Sequence, residues 1–369
     1  MEKVSKTSRV EIPESVISKV KERANEEAFV HLRSLFGNNW AEYFALLGAR
    51  QAGKSYAVMK LILNSKRDKG DKVKCFWIRL TDKSAGKLLK SNAKKLVDPD
   101  LRRKYDLNLA TEENFVYNID EKGEKRLLVT VMDLSTFYND KGSAYFDKDF
   151  DGEYIVVCDE MNRESSERNT FDIVYNFKNQ LETIIRNSGS KQAKAKRVRV
   201  ILIGNTLSEA SDMLLAFGFL PEPGQFGRYK LRRKRCIIDY LPLTKAYRKM
   251  REGSTVDILK SDDESTFTNE VRYDKSLISK SRLTKPTVII KFKDSPNSWF
   301  TLWNGGTITR WNKEKIPSIA MRRYIQGEPY QKPLADNIVQ MFDTRSFKFD
   351  SFYTQEVFRK ELRLLKPQR

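Results

Sequence analysis

A chain of 369 residues, 40% hydrophobic and 11% aromatic, can bury a sizeable core, and its length favours two folded units joined by a connector. Its formal charge of +20 exceeds what solubility asks for and points to a polyanionic partner, with nucleic acid ahead of an acidic membrane surface. One histidine and three cysteines without a CxxC pair argue against a Cys/His zinc site and against Ser-His-Asp or Cys-His catalysis, because His31 would have to serve every such scheme.

Within the first 35 or so residues, "VISKVKERANEEAFVHLRSLF" alternates charge and apolar spacing and predicts an amphipathic leader helix starting near Pro13, with His31 an ordinary helix residue. No apolar run approaches the roughly 18 residues of a membrane span, and no signal-peptide pattern is present, so a soluble cytoplasmic protein with no membrane association is expected. "YFALLGA" predicts a short strand running into a glycine-containing loop, and "SYAVMKLILNSKRDKG" predicts the helix that follows, closed by Gly70. "KVKCFWIRL" reads as a buried strand, the lysine-rich "TDKSAGKLLKSNAKKL" as a helix, and "RLLVTVMDLSTF" as another strand. "EYIVVCDE" is uncharged from Ile155 to Cys158, as a parallel strand covered on both faces should be. "FDIVYNFKNQLETIIRN" puts Ile173, Val174, Phe177, Leu181, Ile184 and Ile185 on one helical stripe, and "VRVILIGNT" is again a buried β-branched run. Cys75, Cys158 and Cys236 each sit in such a run and read as reduced core residues.

Strands alternating with helices over residues 40–206 predict an α/β fold around a parallel sheet, with 1–206 as the first domain. Residues 207–265 turn rich in Gly, Pro and charge and read as a connector with some structure of its own. Its basic run Lys230–Arg235 is either a solvated face or a phosphate contact. Residues 266–369 predict an α+β second domain: three consecutive strands in "TVIIKFKDSPNSWFTLWNGGTITRW", a tight turn at Asn304, Gly305 and Gly306, then helices at about 317–326, 333–343 and 354–365.

"GARQAGKS" fits GxxxxGK[S/T] in full, from Gly48 through Ala49, Arg50, Gln51, Ala52, Gly53 and Lys54 to Ser55. The pattern describes a loop whose backbone N–H groups wrap the phosphates of ATP, with Lys54 reaching the β and γ oxygens and the Ser55 hydroxyl on Mg²⁺. "YIVVCDE" ends in Asp159, positioned as a second Mg²⁺ ligand, and Glu160, positioned as the general base; two acids that merely end a strand are the alternative. Asn205, after the strand "VILIGNT", suits a γ-phosphate sensor or simply a turn. Arg50 could contact phosphate or pair with Glu160. Arg186, ending its helix, could act as an arginine finger on a neighbouring subunit or be a solvated cation favoured by the helix dipole, and Arg163 and Arg168 are other arginines nearby. Glu directly after Asp, with a further strand between the loop strand and the Asp-Glu strand, is the pattern of the additional-strand, catalytic-glutamate (ASCE) branch of P-loop ATPases. Kinases and GTPases fit less well, and no NKxD-like guanine motif is found.

"GARQAGKSYA" with its in-loop Arg50, "IVVCDEMNRE", "IIRN" and "IGNT" together resemble the packaging ATPases of small tailed phages of the phi29 type, relatives of terminase large subunits. The resemblance is strong over about 44–206 and rests on order and length outside that range. It implies a homo-oligomeric ring, a pentamer, docked on the portal of an empty procapsid and driving double-stranded DNA inward with ATP, with a packaging RNA as a partner in part of the family. It implies action in the cytoplasm of an infected bacterial host and absence from the mature virion. Residue by residue it puts Lys54 and Ser55 on the P-loop, Asp159 and Glu160 on the Walker B pair, Asn205 on the sensor and Arg186 on the trans finger, with Lys83 and Lys87 either candidate DNA contacts or a solvated helix face. Terminases proper carry an RNase H-type nuclease in the second domain. Here Lys291 and Lys293 stand where an inward acid is needed and Asp294 comes late, so an RNase H-like fold without nuclease activity is expected. A DNA helicase or recombination ATPase, and a nucleic-acid-binding scaffold with a regulatory P-loop, are the competing readings.

Overall fold

The computed structural model describes residues 36–48, 52–135, 149–161, 172–186, 194–205, 212–219, 227–241, 249, 252–253, 275–279, 282–284, 286–292, 299–303, 306–311, 322–325, 332–344 and 346–363. The leader helix expected over the first residues, His31, Arg163, Arg168, Lys293, Asp294 and the middle of the glycine loop, Ala49 to Gln51, lie outside them. The chain divides into two compact units, Met1–Val271 and Arg272–Arg369.

Among its described residues the first unit is built on a nine-stranded sheet. Its strands are β1 (Tyr43–Gly48), β2 (Val73–Arg79), β3 (Leu109–Glu112), β4 (Phe115–Ile119), β5 (Lys125–Asp133), β6 (Glu153–Asp159), β7 (Arg197–Asn205), β8 (Gly227–Leu231) and β9 (Cys236–Leu241), in the order β3-β4-β5-β2-β6-β7-β1-β9-β8. The central strands from β5 to β9 run parallel, whereas β3 and β4 at one edge and β8 at the other are antiparallel. The expected parallel sheet is therefore a mixed one. The β3–β4 hairpin escapes a periodicity reading because its strands are short and only Leu109 and Val116 are buried. β8 and β9 come from the stretch expected to be a connector; β9, buried throughout, pairs with β1.

Alternation along each strand sorts side chains to the two faces. Phe44, Leu46, Cys75, Trp77, Ile155, Val157, Ile201 and Ile203 pack against α1 (Lys54–Lys69) and α2 (Asp82–Ala93). Ala45, Leu47, Tyr154, Val156, Cys158, Val200 and Leu202 pack against α4 (Ile173–Ile185) and α5 (Asp212–Phe217), α3 being Pro99–Lys104. Each fully buried aliphatic side chain in these layers contributes about 1.5–3 kcal/mol of transfer free energy. Cys75, Cys158 and Cys236 are buried free thiols in β2, β6 and β9.

Below the sheet, at the amino ends of the parallel strands, charge is buried in pairs. Glu153 at the start of β6 forms ion pairs with Arg199 of β7 and, at 2.7 Å, with Lys69 at the end of α1. The basic hairpin between β8 and β9 is largely committed internally. Arg228 pairs with Asp239 at 3.0 Å, the Arg232 guanidinium lies 4.2 Å from the centroid of the Trp40 ring, Lys234 Nζ donates to Phe217 O, and Arg235 pairs with Glu42.

Among its described residues the second unit has a five-stranded sheet of β10 (Pro286–Lys291), β11 (Trp299–Trp303), β12 (Thr307–Trp311), β13 (Arg322–Ile325) and β14 (Lys348–Phe349), ordered β13-β10-β11-β12-β14. The first three form an antiparallel meander; β13 lies parallel beside β10 and β14 parallel beside β12. The helix expected at 317–326 is corrected at Arg322–Ile325, a strand whose pairing with β10 overrides the local pattern. α6 (Lys332–Asp343) and α7 (Phe352–Arg363) follow, and Phe358 of α7 anchors an aromatic core with Phe292, Phe300 and Phe349.

Candidate functional site

Four strand ends build the site, because parity carries one side chain from each to the α1 face: Arg79 after Trp77, Asp159 after Val157 and Asn205 after Ile203, with Gly48 closing β1. Gly48 is held between neighbours, paired with Asn205 on one side and Leu241 on the other. A Cβ there would lie 3.0 Å from the Leu241 Cβ and 3.1 Å from its carbonyl oxygen. After the loop, Gly53 caps α1 in the left-handed region at φ 80°, a conformation that favours glycine.

Lys54 and Ser55 open α1, at the end of a helix where the direction of the first backbone N–H groups and the helix dipole favour an anion. Lys54 is buried, and its Nζ donates to Gly48 O at 2.9 Å. Burial pulls its pKa down to about 8, against the opposing charge of Asp159. The Ser55 hydroxyl donates to Asp159 Oδ1 at 3.3 Å. Asp159 is itself buried, and burial raises its pKa, with Arg79 opposing the rise. Glu160 leaves the strand at φ 56°, the left-handed strain that collects at functional sites, and its N–H donates to Asp159 Oδ1. Its carboxylate is exposed and lies 2.5 Å from Arg79 Nη1, which is also 3.6 Å from Asp159 Oδ2.

These groups surround a cleft of about 470 Å³, the size of a small-ligand pocket. Ala52, Gly53, Lys54, Ser55, Asp159, Glu160 and Asn205 line it, and so do Arg79, Tyr56, Trp77 and Lys95, which no motif in the sequence marks. Arg79 was detectable in principle as the cation ending the apolar run "VKCFWIR". Its partners depend on the β2–β6 register, which aligns Ile78 with Cys158. Glu160 thus has a cationic partner in Arg79, while Arg50 lies outside the described residues. Arg186, expected as a finger, does not line the cleft of its own chain: it is exposed and ends α4 at φ 35°. Lys83 and Lys87 are exposed on α2 and also lie off the cleft.

The arrangement can take a polyphosphate at the start of α1 and a hard cation between a hydroxyl and a buried carboxylate. Because Lys54 titrates at about 8 in the free protein, polyphosphate affinity is expected to fall as pH rises through that value. At about pH 9 roughly a tenth of the free protein would keep the charge. Tripolyphosphate titrations across this range test the point, and an affinity that stays flat would exclude Lys54 as the group.

Fold and cleft together define a mixed α/β protein with a glycine loop facing an acidic strand end. Its fold is similar to that of the Phi-28 gp11 DNA packaging motor, at TM-score 0.53 and 13% identity, over 93% of this chain and 100% of that one. Lower scores link it to the N-terminal domain of the DNA packaging ATPase from bacteriophage phi29, at TM-score 0.45 and 21% identity over 59% of this chain and 98% of that one. The large terminase ATPase domain of Thermus phage P74-26 follows at TM-score 0.37 and 12% identity, over 68% and 96%. The first likeness is one of fold, and the two lower scores carry no further weight. No protein-family model and no curated protein matches the chain. Among the described residues no helix is long and apolar enough to cross a membrane.

Proposed function

We propose that this chain is the ATP-hydrolysing subunit of a motor that drives double-stranded viral DNA into a preformed procapsid. The observation that carries the reading is the convergence of Lys54, Ser55, Asp159, Glu160 and Asn205 on one cleft at the carboxyl ends of the parallel strands of a mixed sheet. β7 between β1 and β6 supports the additional-strand, catalytic-glutamate class, and the fold of the Phi-28 motor supports the packaging role.

In this reading residues 48–55 hold the phosphates of ATP, and Lys54 moves from Gly48 O to the β and γ oxygens. Ser55 and Asp159 would hold Mg²⁺, the hydroxyl and the buried carboxylate being hard oxygen donors. When bound, Mg²⁺ neutralises charge on the phosphate oxygens. Glu160, once released by Arg79, orients and deprotonates the attacking water, and Asn205 senses the γ-phosphate. Arg186, off its own cleft, serves the next subunit of a homo-oligomeric ring, a pentamer, docked on the portal with or without a packaging RNA. The protein acts in the cytoplasm of the infected host. The meander with β13 parallel beside β10 fits an RNase H-like second domain, and Lys291, 4.9 Å from the Trp299 ring, fits the loss of its nuclease activity.

The deciding experiment is ATP turnover with and without double-stranded DNA, in wild type, in Arg186→Ala, in Lys54→Ala and in one-to-one mixtures of the two variants. Each variant alone is expected to lose turnover and the mixture to regain part of it, because an intact cleft then meets an intact Arg186 on a neighbour, whereas a mixture no more active than its parts would sink the trans role. For Lys83 and Lys87 on α2, double substitution by alanine is expected to weaken DNA binding at every sequence and to flatten the log K against log salt slope by about 0.9 per contact. An unchanged slope would remove them from the DNA surface.

A further inference from the structure

The carboxyl end of β5 is gripped from three sides. Leu134 N–H donates to Arg79 O at 3.0 Å, tying β5 to the residue that pairs with Glu160. Leu134 O accepts from Asn176 Nδ2 at 2.8 Å, and Asp133 O accepts from Gln180 Nε2 at 3.1 Å. Ser135 Oγ donates to Asp133 Oδ1 and accepts from the N–H of Asp82, the first residue of α2.

Asn176 and Gln180, one turn apart on α4, are 2% and 0% exposed. A buried amide is unfavourable unless bonded, so this pair on an otherwise apolar face is a specific fixture. Packing alone does not account for it, because Gln180 Oε1 has no hydrogen-bond partner among the described residues and an aliphatic side chain would leave no orphan acceptor. Six residues after Gln180, about 9 Å along the helix, α4 ends at Arg186 in a left-handed conformation. A continuous chain of bonded groups thus runs from Glu160 through Arg79, Leu134 and Asn176 to the helix that carries Arg186.

We propose that Asn176 and Gln180 are positioning residues that couple the state of a subunit's own cleft to the placement of its Arg186. The inference rests on the reading of Arg186 as a group delivered to a neighbouring copy. When Arg79 releases Glu160, its main chain shifts Leu134, and the two amides pass the shift to a rigid helix; packed elements transmit such small movements as discrete rearrangements.

The test uses the full chain with double-stranded DNA and the double variant Asn176→Leu/Gln180→Met. Alone, it is expected to bind a fluorescent ATP analogue as wild type does while turnover drops about 100-fold, the effect of a misplaced group of roughly 1 Å. Mixed with Lys54→Ala, which has a dead site but an intact Arg186, turnover should recover. Mixed with Arg186→Ala it should not. Recovery with Arg186→Ala instead, or with neither partner, overturns the proposal, because the defect would then lie in the double mutant's own cleft or in its general stability. A Lys54→Ala and Arg186→Ala mixture is the control: if that pair fails to recover, the trans reading of Arg186 fails rather than the coupling alone. If the double variant does not fold, Gln180→Leu alone goes through the same mixtures.

Discussion

Glu160→Gln is expected to bind ATP and leave it unhydrolysed, with turnover lowered by about 10²–10⁴-fold, the usual contribution of a positioned general base. Glutamine has the same length and backbone preferences, so it can occupy the φ 56° position, but it cannot take a proton from water. It also loses the charge that attracts Arg79, which frees that guanidinium to face Asp159 alone. Nucleotide affinity should therefore stay near wild type while hydrolysis disappears. Equilibrium binding beside single-turnover hydrolysis separates the two. Turnover within about tenfold of wild type would mean that another group activates the water.

The largest loss of stability is expected at the opposite end of the sheet. Glu153 is 2% exposed and Arg199 6% exposed, and burial pulls the Arg199 pKa down to about 10 against the favourable charge of Glu153. Glu153→Ala leaves that guanidinium buried and unpaired, a loss of about 3–5 kcal/mol. Lys69 adds little because it is half exposed and can turn to water. The double variant Glu153→Leu/Arg199→Leu removes both charges and should recover most of the loss, since a well-packed apolar pair replaces a buried ion pair with little net change. Urea unfolding of wild type, Glu153→Leu, Arg199→Leu and Glu153→Leu/Arg199→Leu in a double-mutant cycle measures the coupling. A single variant as stable as wild type would show that Arg199 reaches solvent when released.

What the sequence disclosed was local. β1, α1 and Gly70, the acids at the end of β6 and Asn205 at the end of β7 could be read because each sits at the boundary of an apolar run. Arg79 was hidden since its significance lies in which strand β2 neighbours, and no window of the chain contains that fact. The same holds for β9, which looks like part of a connector until it pairs with β1, and for Arg322–Ile325, whose strand conformation comes from β10 rather than from its own composition. Arg186 could be named from its helix end, but only the fold takes it out of its own cleft.

The contact between Gly48 and Leu241 sets a limit on where the first unit can be cut. A fragment stopped at Thr206 would carry every nucleotide motif and still lack the strand that backs β1. That would uncover an apolar edge where Phe44, Ala45 and Leu46 now lie against Ile237, Ile238 and Asp239. The shortest soluble ATP-binding fragment should run through Leu241, and Gly48, where β1 ends, is in that sense held by residues nearly two hundred positions downstream of it.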